Sequence, residues 1–165
     1  MAYLLCFSRS RTTSVEQIDD QTLRSTCRLQ DNQLDLKVQL QVGLPELEIT
    51  RVTCQVDRAE PAVPADAQER LQKVLGVRVG PGMLKIIEGL IGDDPACAEL
   101  SFMVQECCHG VILSLTKQEL QKAPWQPEDS REHFARMIQK NTRLYNRCAA
   151  FAPGSSLVEG IEPPG

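Results

Sequence analysis

A chain of 165 residues with 42% hydrophobic and 24% charged residues has the composition of one ordinary globular domain, long enough to bury a core without metal or disulfide staples. Its formal charge of −4 disfavours nucleic acid and anionic membranes as partners. No apolar run approaches the roughly 20 residues that span a bilayer, and the start "MAYLLCFSRSR" lacks the basic flank and cleavage pattern of a signal peptide, so a cytoplasmic location and no membrane association are expected.

Residues 2 to 18 are expected to hold one or two strands. Leu23, Ser25, Cys27 and Leu29 then alternate weakly, and Asp31 with Asn32 supplies a hairpin turn. The clearest pattern follows. Leu34, Leu36, Val38, Leu40 and Val42 alternate with Asp35, Lys37, Gln39 and Gln41, as in a strand buried on one face and wet on the other. A further strand over about 46 to 57 slips in phase, from Leu47 and Ile49 to Val52, Cys54 and Val56, which predicts a bulge near Arg51.

After "EPAVP" the period becomes helical. Leu71, Val74 and Leu75 form one face that ends at Gly76, and Pro64 suits the first turn. The connection "GVRVGPG" leads to a helix with the stripe Met83, Ile86, Ile87 and Leu90. Another helix runs from about Cys97 to Leu120, and a last one, about 127 to 150, carries Phe134, Ile138, Tyr145 and Cys148. Strands followed by helices give an α+β class: an antiparallel meander packed against three or four C-terminal helices. Residues 1–151 read as a single domain and 152–165 as a mobile tail.

Residues 75 to 100, "LGVRVGPGMLKIIEGLIGDDPACAEL", carry a Gly-Pro-Gly turn at Gly80, Pro81 and Gly82, a helix, and then Cys97. This segment resembles a bacterial family known as domain of unknown function 2889, which follows the same turn and helix with a Cys-x-His-Leu motif. The likeness extends loosely over about residues 15 to 117. Glu99 stands where that motif has its histidine, which departs from any Cys/His metal pattern. The resemblance implies a fold context and no activity.

Seven cysteines, at positions 6, 27, 54, 97, 107, 108 and 148, make an odd number without framework spacing, so free thiols are expected. Cys97 near a helix start, with Glu99 two residues on, is a candidate catalytic pair, because a helix dipole lowers a thiol pKa. Asp93 and Asp94 oppose that activation. Glu106 and His109 in "QECCHG" have the Glu-x-x-His spacing of carboxylate-bridged metal sites, but no second such motif exists and no cysteine pair has zinc spacing. On a helix, Leu100, Val104, Cys107 and Val111 share a stripe, which places Cys107 in the core and His109 nearer the surface. Arg78, Gly80, Gly82 and Lys85 could hold an anion at a helix start, although Pro81 removes one donor and no phosphate-loop Gly-Lys-Ser follows.

The lack of a complete catalytic set favours a non-catalytic interaction or accessory module, with an unknown protein or small-molecule partner and no cofactor. The competing expectation is a cysteine-dependent metal or iron–sulfur carrier, or an enzyme using Cys97 with Glu99 or Glu106 with His109.

Overall fold

In a computed structural model of the protein, which describes residues 6–60, 62–92, 97–123, 127–140, 142–146 and 148–162, the first half of the chain forms four antiparallel strands. They are β1 (Arg9–Asp19), β2 (Thr22–Asp31), β3 (Leu34–Gly43) and β4 (Glu48–Ala59), hydrogen-bonded in sequence order. This is a meander, and the architecture is α+β. The alternating apolar residues explain it: Leu36, Val38, Leu40 and Val42 of β3 are buried, as are Leu23, Cys27 and Leu29 of β2 on the same face.

β4 carries the expected slip. Val42 pairs with Ile49 while Gln41 pairs with Arg51, so Thr50 is an extra residue, next to the position the phase change indicates. Asp57 is a second extra residue, between the pairs Leu36–Val56 and Asp35–Arg58. Ile49 and Val52 are buried, but Val56 is 47% exposed, because the strand leaves the covered part of the sheet. Beyond expectation, the connection at 76–79 adds to this edge through an isolated bridge at Arg78. Val77 O accepts from Ile49 N at 2.9 Å, Val79 N donates to Leu47 O at 2.8 Å, and Arg78 bridges Glu48.

The β2–β3 turn is organised by Asp31, whose carbonyl also accepts from Arg58 Nη2. Asp31 Oδ1 accepts from the amides of Gln33 and Leu34, both at 2.7 Å, and Oδ2 accepts from Arg9 Nε at 2.8 Å. Burial alone would raise the Asp31 carboxyl, but the two amides and Arg9 outweigh it and hold it below the usual range. Arg28 does the same for Asp35 through a bidentate pair at 3.0 and 3.1 Å. A carboxyl depressed in the folded state stabilises above its unfolded pKa and ceases to do so as pH falls through the folded value. Thermal stability is therefore expected to fall as pH drops below about 4. Asp31→Asn keeps an oxygen for the turn and removes the charge, so its melting temperature should be lower at neutral pH and decline less on acidification.

The chain divides into two compact units, Met1–Leu115 and Thr116–Gly165. The first holds the sheet, α1 (Ala67–Gln72), α2 (Met83–Ile91) and most of α3 (Ala98–Lys122). α1 buries Leu71, with Val74 buried just beyond it, while Leu75 is 42% exposed, so the expected face is narrower. α2 buries Met83 and Ile87 as expected, with Leu90 half-buried against the core, but Ile91 is buried where Ile86 had been expected. Positions four apart repeat on one line of a helix, which carries Ile86 round to solvent.

α3 lies on the sheet. Ser25 Oγ donates to Cys107 O at 2.8 Å, and Cys107 Sγ meets Val38 O at 3.7 Å. Gly110 brings the helix closest: a β-carbon there would lie 2.9 Å from Thr13 Cγ2, 3.1 Å from Val15 Cγ2 and 3.4 Å from Ser25 Oγ. The second unit continues α3 into α4 (Pro127–Lys140), which ends ten residues short of the expected 150 and is followed by 3-10 turns at Thr142–Leu144 and Ala149–Phe151. Ile138 is buried there, and the following residues are turned, with Ser155 Oγ donating to Ala150 O and Val158 buried.

Candidate functional site

"QECCHG" lies in the middle of α3, and both of its thiols are buried. Cys107 faces the sheet, as the stripe requires, and Cys108 is equally enclosed beside it. Burial, then the neighbouring Cys27, pushes the Cys107 thiol far above its ordinary value, and burial pushes Cys108 up to about 12. A thiolate is the nucleophile and the metal ligand, so these environments oppose both roles. Cys54 is likewise raised by burial, to about 11. Alkylation of the native protein near pH 8 should label Cys6 and Cys148, which are exposed, and leave Cys27, Cys97, Cys107 and Cys108 untouched until denaturant is added. Peptide mapping of the alkylated protein checks this.

His109 and Glu106 do meet, with Nδ1 and Oε1 3.4 Å apart. Their side chains are 45% and 37% exposed, so the pair is a solvated helix-surface contact, worth a few tenths of a kcal/mol (about 0.3). Cys97 is buried just ahead of α3, while Asp93 and Asp94 lie outside the described residues. Glu99 points instead to the sheet edge, accepting from Arg9 Nη1 at 2.9 Å and Arg11 Nη2 at 3.4 Å. Arg11 also lies over the Phe102 ring, 4.3 Å from its centroid. The arginines thus take up Glu99 in a clamp between β1 and α3. Among the described residues no three His, Cys, Asp or Glu side chains converge to hold a metal ion.

At the Gly-Pro-Gly turn, Gly80 N–H is directed at Met83 Sδ, 3.3 Å away, and its carbonyl accepts from Met83 N. Gly82 precedes α2 with φ of 83°, a left-handed backbone that favours glycine. Arg78 is committed to the bridge with Glu48 through its backbone, and its side chain and that of Lys85 are exposed. The glycines are accounted for by backbone geometry.

The feature that stands apart is the outer face of the sheet. Three central rows cross all four strands: Thr12, Arg28, Lys37 and Gln55; Ser14, Thr26, Gln39 and Thr53; Glu16, Arg24, Gln41 and Arg51, flanked by the rows Ser10, Gln30, Asp35 and Arg58 on one side and Asp19, Thr22, Gly43 and Glu48 on the other. Every position of the central rows is polar. With strands about 4.8 Å apart and rows about 7 Å apart, they tile roughly 14 Å in each direction. Part of the face is internally satisfied. Gln39 Nε2 donates to Thr26 Oγ1 at 3.1 Å, Arg24 lies 3.6 Å from Glu16, and Arg28 holds Asp35 and lies 4.0 Å from Asp57. Lys37 and Arg51 have no acidic partner among the described residues. On a chain of net charge −4, the central rows of this face therefore carry two cations, Lys37 and Arg51, outside the ion pairs just described. Alternation along β3 identifies the outward residues of that strand. The rows depend on register between strands, which one strand's pattern does not reveal.

No family model matches the chain, and neither a curated protein nor a solved structure matches it. No helix among the described residues is long and apolar enough to cross a membrane.

Proposed function

We propose that the protein is a non-catalytic interaction module that receives an acidic protein surface on the outer face of its sheet. The observation that carries this is the pair of cations, Lys37 and Arg51, left outside the ion pairs on three all-polar rows none of whose residues is buried. A sheet holds such groups at fixed spacing, so a partner meets a preorganised array and pays little ordering entropy. Opposite charge across an interface contributes mainly to encounter rate and selectivity. The reading assigns the thiols to the core rather than to cofactor chemistry. It also takes the protein as a cytoplasmic bacterial relative of domain of unknown function 2889, on the Gly80-Pro81-Gly82 turn.

The test is site-specific photo-crosslinking in the native host, with the crosslinker at Gln39 or Thr53 on the face, or at Lys85 on α2 as control. One defined protein should be captured from both face positions, not from Lys85, and lost in Lys37→Glu/Arg51→Glu. That double substitution should change stability by no more than about 1 kcal/mol, since Arg51 is exposed and Lys37 half-exposed. Equal capture from Lys85, or capture indifferent to the charge reversal, overturns the proposal.

A further inference from the structure

β1 is the terminal strand of the sheet, and its whole length is exposed apart from half-buried Val15. From Arg9 to Gln17 its register with β2 is unbroken, and among the described residues its far edge makes no backbone hydrogen bond. Sheet edges are ordinarily blunted by proline, a bulge, brevity or inward-pointing charge. Before Gln17, β1 has only the last, in Arg9 and Arg11, and both are engaged by Glu99 of α3.

Its charge is distributed in one direction. Arg9 and Arg11 occupy the first half, where they also hold Glu99 and, for Arg9, Asp31, while Glu16, 3.6 Å from Arg24, and Asp19 occupy the second. Laid parallel on a copy of itself, such a strand sets like charge on like. Laid antiparallel, it sets the basic half of each copy along the acidic half of the other. We propose that β1 pairs antiparallel with β1 of a second copy of this chain, about a twofold axis at Ser14, joining the two sheets into one.

In that pairing Ser14 faces its own counterpart, Thr13 faces Val15, and Arg11 faces Gln17 of the other copy. The twofold axis makes every contact occur twice. It also brings Phe7 and Ile18, which are 61% and 42% exposed, to the same end of the ribbon from different copies. The backbone donors and acceptors of the free edge are satisfied, and the polar outer face stays open. The edge and that face are different surfaces, so dimerisation does not rest on the partner proposed above.

Gln17 allows a test of sign, because it is exposed and makes no side-chain hydrogen bond among the described residues. Gln17→Glu places an anion opposite Arg11 of the other copy, and Gln17→Lys places a cation there. Cross-strand charge pairs of this kind, counted twice, should tighten the dimer about fivefold in the first case and weaken it about fivefold in the second. Sedimentation equilibrium of the full chain measures both, with Gln118→Lys as a charge control expected to change nothing. Hydrogen exchange should show the β1 amides gaining protection as concentration rises. A monomer at all concentrations overturns the proposal. So does a dimer that Gln17→Glu and Gln17→Lys shift in the same direction or not at all, or one in which protection grows elsewhere and not in β1.

Discussion

Leu36→Asp is expected to unfold the first unit, whereas Gln39→Asp three positions along is expected to cost little more than its hydrogen bond. Leu36 is 2% exposed on the covered face of β3, beside Leu29 on β2 and Val56 on β4. Removing its side chain forfeits about 2–5 kcal/mol of packing, and a carboxylate in its place adds the cost of burying a charge or protonating it. Few domains of this size have more than about 5–15 kcal/mol in reserve. Gln39 is on the other face, half-exposed, and bonded to Thr26 Oγ1, a contact worth about 1 kcal/mol. Urea denaturation followed by circular dichroism separates the two outcomes. Equal midpoints would contradict the one-sided core.

Gly110→Val should cost about 3 kcal/mol, against the usual rule that glycine within a helix is the destabilising choice. A glycine in a helix interior is about 1 kcal/mol worse than alanine, so free space would make a larger residue favourable. Here a β-carbon alone would stand 2.9 Å from Thr13 Cγ2 and 3.1 Å from Val15 Cγ2. Both are branch methyls on β-branched side chains, whose rotamers are restricted. The two further methyls of valine would have to lift α3 from β1 and β2, stretching the Ser25–Cys107 hydrogen bond. Gly110→Ala should be close to neutral, its helix gain offset by the same crowding. Thermal melts of the two variants, read against Gly89→Ala on α2, where a β-carbon meets nothing within 4 Å, separate packing from propensity.

What could be read from the sequence depended on whether one element alone carries the signal. β3 is buried on one face and wet on the other, so its five apolar residues announce both strand and side. β1 is nearly all polar because it is an exposed edge. Its strand character comes from pairing with β2, and only a vague strand at 2 to 18 was foreseeable. α2 misled at one position, since Ile86 and Ile91 are equally apolar and tertiary contact decides which is covered. The candidate site divided in the same way. Glu106 and His109 are three residues apart, so their meeting follows from helix geometry. Glu99 finds Arg9 across ninety positions, and no local pattern reports that. Cys107 was legible from its stripe, while the equal burial of Cys108 reflects packing on a second side of α3.

The two borders of the sheet are unlike, and that difference limits growth. At β4 the first residues are occupied by Val77 and Val79, and farther along the unpaired residues Thr50 and Asp57 kink the strand and twist it out of line. A sheet with two equivalent borders can recruit copies from both sides and has no natural stopping point, which is the geometry of fibres. With one border spoiled and the other straight, addition ends when the two straight borders have met. The irregularities of β4 thus act as a terminator, and the assembly they permit is closed at two chains.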